Sequence, residues 1–136
     1  MDATTVMPRP ATTGRVPAGL LYGLRITVTA QAAAVLVAAS FAGQAVESGA
    51  MSEIHVMAGM VVHLVALVQI VLAVLVRRPG RGAGRPALAS VVLIVAGGLQ
   101  LVTWGPAAHL PTGVLLVGLV AAVLIWAWSP AVARRR

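Results

Sequence analysis

The chain has no cysteine, which excludes disulfides, iron–sulfur clusters and thiolate chemistry. It has no lysine either, so all 10 of its basic residues are arginine. Acidic residues are limited to Asp2, Glu47 and Glu53, and charge of both signs makes up 10% of the 136 residues. A soluble domain carries about a quarter of its residues as charge, so this composition is not that of a chain solvated by water. The apolar runs also lack the alternation that transmembrane barrel strands keep over about 10 positions, which argues against a barrel.

What the chain has is hydrophobicity. Apolar residues make up 60% of it, gathered into four continuous blocks of roughly 20 residues, the length that crosses a bilayer as a helix. These blocks predict spans at about 18–42, 54–76, 87–104 and 107–128. The expected architecture is therefore all-α, a four-transmembrane-helix bundle over residues 18–128. Residues 1–17, with Pro8, Pro10 and Pro17, read as a flexible cytoplasmic tail, and 129–136 as a basic cytoplasmic tail. The first block is too long for a signal-peptide core and no clear cleavage site follows it, so it is expected to be retained as a span.

The arginines fall in three clusters: Arg9, Arg15 and Arg25; Arg77, Arg78, Arg81 and Arg85; and Arg134, Arg135 and Arg136. The other two connections carry no basic residue, and the first holds Glu47 and Glu53. By the positive-inside rule, both termini and the 77–85 loop face the cytoplasm. A net charge of +7 split among membrane-flanking clusters suits anionic headgroups at the cytoplasmic face rather than nucleic acid. Arg25 lies a turn or two inside the first block, where its stem can snorkel to the interface. Tyr22, Trp126 and Trp128 fit an inner aromatic belt, with Trp104 at the outer one.

The segment from Pro79 to Pro86 separates two helical hairpins that resemble one another. Ala42-Gly43-Gln44 precedes His55 and Gly59, as Ala96-Gly97-Gly98-Leu99-Gln100 precedes His109 and Gly113. A two-hairpin internal repeat about an axis along the membrane normal is one reading. Chance matching in Ala/Gly/Val-rich sequence is the other.

All three histidines lie in or at the edge of hydrophobic spans. The topology puts His55 and His109 at similar depth near the outer face. Neutral imidazoles on facing helices of a bundle form a bis-His haem site. Gly59 and Gly113 each lie one turn beyond a histidine on the same helix face and leave a recess where a porphyrin can approach. The alternatives are interfacial histidines bonded to backbone or headgroups, and glycines that serve close helix packing. His63 lies about 12 Å deeper and about 80° round the helix from His55, so it does not ligate the same iron. It reads as a satisfied interior histidine, a lone ligand of a second cofactor, or a proton relay. Gln31, Gln44, Gln69 and Gln100 read as helix–helix glue, with Gln44 and Gln100 also in reach of haem propionates. Met51, Met57 and Met60 read as flexible packing or, secondarily, a thioether ligand. Pro111 falls early in span four, where a missing N–H matters little.

The segment from Gln100 to Gly113, with the helix that follows to Trp126 and Trp128, resembles a family of small uncharacterised four-helix bacterial membrane proteins. It is also similar to one half of haem A synthase, in which four helices hold a haem between two histidines near the outer face. The resemblance covers spans two to four, and span one by hydropathy only. It implies His55 and His109 as haem ligands, with Glu53 matching the acidic residue before the synthase's histidine. Glu53 stands two residues before His55 rather than three, Val56 replaces the usual arginine after it, the loop cysteines are missing and there is one bundle. The resemblance thus implies haem b binding rather than haem hydroxylation.

The expectation is a multi-pass protein of a bacterial plasma membrane, a small cytochrome b type of haem-binding protein with one bis-His haem between spans two and four. Six-coordinate iron favours electron transport or haem handling, and if the chain is an enzyme it is a membrane oxidoreductase. Quinol or a larger membrane complex is the expected partner. The alternative is a cofactor-free accessory or assembly subunit that packs through small-residue faces such as Gly97-Gly98. A small transporter or channel ranks last, since spans two to four have no acidic residue at their centre.

Overall fold

Helix is forced on apolar stretches this long, because a backbone removed from water must satisfy its N–H and C=O groups within the segment. The computed structural model describes residues 16–50, 52–77, 85–102 and 105–133, which contain helices and turns and no strand. The elements are α1 (Ala18–Ser48), α2 (Glu53–Arg77), α3 (Arg85–Val102), α4 (Pro106–Trp128) and a single turn, α5 (Pro130–Ala133). α1, the Glu53–Val76 part of α2 and the Ala107–Trp128 part of α4 are long and apolar enough to cross a membrane. α3 contributes a shorter apolar helix, Ala87–Gln100.

Element boundaries differ from the expected spans where hydropathy and helix propensity part company. α1 runs to Ser48, six residues past the expected end at 42. The residues added, from Gly43 to Ser48, include Gln44, Ala45 and Glu47, good helix formers although not all are apolar. The stop is set by Gly49, whose φ of 68° is the left-handed C-terminal cap that glycine adopts without a Cβ penalty. The start of α4 is set by Gly105, at φ 152°, followed by Pro106 at the first helical position, where its missing N–H is no loss. The third span was expected to reach 104. α3 ends at Val102, and 103–104, with Trp104, lie outside the described residues, as do the tail arginines Arg9, Arg15 and Arg134 to Arg136, the loop arginines Arg78 and Arg81, and Met51.

The four long helices run up and down and close on themselves, each packing on its neighbours in chain order and α4 returning against α1. One end of the bundle, termed terminal, carries Ala18, Arg77, Arg85 and Trp128. The other, termed distal, carries the α1–α2 and α3–α4 connections. A core of Leu24, Val28, Ala73, Val76, Val123, Ala127 and Val132 fills the terminal half. At this end Arg25 Nε donates to the carbonyl of Ala127 at 3.1 Å, one of the last-turn carbonyls that α4 leaves without a helical partner. The Arg25 guanidinium sits 5.0 Å over the Trp128 ring, and Trp128 Nε1 donates to Thr29 Oγ1 at 3.3 Å.

Polarity is distributed opposite to a soluble protein. Ile125, Val114 and Leu115 are more than 70% exposed, while Gln31, Gln69 and Ser90 are 1% exposed. Large apolar side chains turned outward from each of the four long helices are unfavourable in water and favourable in hydrocarbon. The chain is thus a helical protein suited to a membrane.

Candidate functional site

His55 lies in the first turn of α2 and His109 in the first turn of α4, both half-buried. Because each helix begins right after a short distal connection, the two residues reach the same end of the bundle. Their ring centroids are 5.6 Å apart with an interplanar angle of 61°, an edge-to-face pair. Two imidazoles bound at about 2.0–2.1 Å on opposite sides of one metal ion place their ring centroids roughly 6.4 Å apart. The observed pair is closer and edge to face, so joint ligation would require the rings to turn and separate.

His55 Nδ1 lies 2.8 Å from the carbonyl oxygen of Ala38 in α1. A carbonyl only accepts, so Nδ1 carries the proton and the neutral ring keeps its lone pair on Nε2. This is the arrangement of a metal-binding histidine, whose second nitrogen is tied to a carbonyl that fixes tautomer and orientation. His109 is held through its backbone: its N–H donates to Gly105 O at 3.0 Å, and its carbonyl accepts from Gln100 Nε2 at 3.1 Å.

Gln100 therefore reaches the distal site, through a contact the sequence did not single out. Its Nε2 also donates to Thr112 Oγ1 at 2.5 Å, and its Oε1 is buried with no partner. A Cβ on Gly113 would meet Gln100 Nε2 at 3.8 Å, so the recess beside His109 is lined by the glutamine. Gly59 is open, with nothing within 4 Å of a Cβ placed there. Gln44 is exposed and lines an open recess with Glu47, Ser48, Ala50 and Ser52. Glu53 is exposed in the first turn of α2, where the helix dipole favours a carboxylate. Met57 and Met60 point outward, 61% and 56% exposed.

His63 lies deeper. Its Nδ1 is 2.7 Å from its own helix's Gly59 carbonyl, which again leaves the lone pair of the neutral ring on Nε2. That Nε2 is buried and has no partner among the described residues. It faces α3: a Cβ added to Gly97 would come within 2.9 Å of it. Gln69 Nε2 donates to Ser90 Oγ at 2.9 Å, joining α2 to α3. Ser90 was missed in the sequence reading, although a lone hydroxyl in an apolar run is itself a signal. Gln31, expected to join helices, has both atoms of its amide buried without a partner among the described residues.

The described residues contain no group of three or more His, Cys, Asp or Glu side chains able to hold a metal ion. A bare ion coordinated mainly by protein is therefore a poor fit to the distal pair. What the pair offers a ligand is the Nε2 lone pair of His55, set by the tautomer that the Ala38 carbonyl fixes. No protein-family model, curated protein or solved structure matches the chain.

Proposed function

We propose that this chain is a four-span membrane protein with both termini and the α2–α3 connection in the cytoplasm, and that His55 and His109 are the axial ligands of one haem b. The reading rests on one observation: two histidines from opposite halves of the chain meet at 5.6 Å. The Ala38 carbonyl, bonded to His55 Nδ1, aims the other ring nitrogen of that residue. Gly59 leaves open space one turn below His55. Gln100 braces the first turn of α4 through the His109 carbonyl and offers a polar group at the same end. Haem would be held by His55 and His109 and would supply a one-electron iron couple, with both histidines engaged on the iron rather than a substrate. The proposed role is therefore electron transfer or haem handling in a bacterial plasma membrane, with a quinol or a larger membrane complex as partner.

A second reading, a cofactor-free accessory subunit, is favoured by a different observation. The rings touch edge to face, a stable contact in its own right, and Gln100 lines the recess at Gly113. An absorption spectrum of the detergent-purified protein, with haem supplied during expression, separates the two. The haem reading expects a Soret band that shifts on reduction and is lost in both His55→Ala and His109→Ala. A colourless protein, or a band that survives both substitutions, removes it.

A further inference from the structure

We propose that the bundle holds bound water at mid-span, hydrogen-bonded between the Gln31 amide of α1 and the His63 Nε2 of α2. The first ground is satisfaction. Gln31 is 1% exposed, and among the described residues neither its Oε1 nor its Nε2 has a partner; His63 Nε2 is likewise buried and unpartnered among them. A buried polar group without a hydrogen bond is strongly destabilising, with no bulk water in a bilayer core to relieve it. Three such atoms on two neighbouring helices leave a large deficit unless a partner is present.

The second ground is register. α1 and α2 are antiparallel, and two contacts fix their alignment: His55 Nδ1 against the Ala38 carbonyl, and Gly23 against the Leu72 side chain. From Ala38 back to Gln31, and from His55 on to His63, the chain covers about two helical turns on each side. From Gly23 on to Gln31, and from Leu72 back to His63, it again covers nearly equal lengths. Both contacts therefore place Gln31 and His63 at one level. Gln31 belongs to the buried stripe Leu24, Val28, Gln31, so its amide is directed inward.

The third ground is the donor and acceptor inventory. The Gly59 carbonyl fixes the proton on His63 Nδ1, so Nε2 of the neutral ring accepts. Gln31 Oε1 also accepts, and its amino group donates. Two acceptors and a donor on facing helices match water, which donates twice and accepts twice and which fills such sites in protein interiors. An apolar occupant satisfies none of them, and an anion satisfies only the amino group. Gly97 completes the site by keeping α3 clear of the imidazole, since any side chain there would come within 2.9 Å of Nε2.

Water-edited solid-state NMR of the isotope-labelled full chain in lipid bilayers tests this. The expected result is rapid transfer from water to the His63 ring nitrogens and the Gln31 side-chain amide, with the methyls of buried Val28 remaining dry. His63→Phe should slow transfer to Gln31 several-fold, and Gln31→Leu should slow transfer to His63 several-fold. The two variants probe the site from opposite sides, so one that fails to fold leaves the other informative. Dry signals at both residues overturn the proposal. So does a direct Gln31 to His63 hydrogen-bond coupling without water transfer, or transfer at either residue that is indifferent to loss of the other.

Discussion

Gly97 and Gly98 are adjacent in α3 and have opposite surroundings. A methyl group at Gly97 would meet His63 Nε2 at 2.9 Å and Cε1 at 3.1 Å, whereas nothing lies within 4 Å of one at Gly98. Gly97→Ala is expected to destabilise the bundle by about 1–3 kcal/mol through overpacking. Gly98→Ala should leave it unchanged or slightly more stable, since alanine is the better helix former. Thermal unfolding in one detergent compares them, and equal effects would mean that His63 swings away freely. From sequence the two glycines looked equivalent, because helical phase within a uniformly apolar run is not visible. The polar residues were more legible: His55, His63, His109 and Gln100 all take part in the interior or the distal pair. Gln44 and Glu53 were not so easily read. They lie on the exposed surface at the distal end, where linear proximity to a histidine gives no information on side-chain direction.

At the scale of elements, Arg25 ties α1 to the last turn of α4. Its expected role was a snorkelling cation; the structure gives it a partner, the Ala127 carbonyl, and a stacking surface, Trp128. A cation at a helix C-terminus contributes up to about 2 kcal/mol when partly buried, and a cation over an aromatic face about 0.5–1 kcal/mol or more. Arg25→Ala is therefore expected to lower stability by about 1–3 kcal/mol. Arg25→Lys should recover part of the loss through charge but not the directed Nε bond. Chemical denaturation in mixed micelles measures both, and a lysine variant as weak as alanine would show that geometry rather than charge carries the tie. The sequence could indicate that Arg25 sat at an interface, but not that a helix end more than a hundred residues away lay opposite.

For the whole molecule, hydropathy alone was enough to find the three helices long and apolar enough to cross a membrane, because a bilayer sets both length and composition, and to mark α3 as a shorter apolar helix. It could not set the helix ends, where Gly49 and Gly105 decide, nor the ring of packing that returns α4 to α1. The suggested likeness of the two hairpins is chemically uneven at its histidines. His55 uses its ring to bond Ala38, whereas His109 uses its backbone carbonyl to accept from Gln100. The proposed orientation predicts distinct labelling of single cysteines introduced into this cysteine-free chain. Ser52→Cys at the distal end should react with an impermeant maleimide added to intact cells, and Ser129→Cys only after the membrane is opened. The reverse pattern would invert the topology and move the histidine pair to the cytoplasmic side.

The Arg25 to Ala127 bond also has a consequence in time. A ribosome makes α1 before α4, so the Arg25 bond to the Ala127 carbonyl cannot form until synthesis has passed Ala127 and α4 has inserted. A chain stopped before Ala127 would leave that guanidinium without its carbonyl. Passage of synthesis through the last turn of α4 is thus registered at α1.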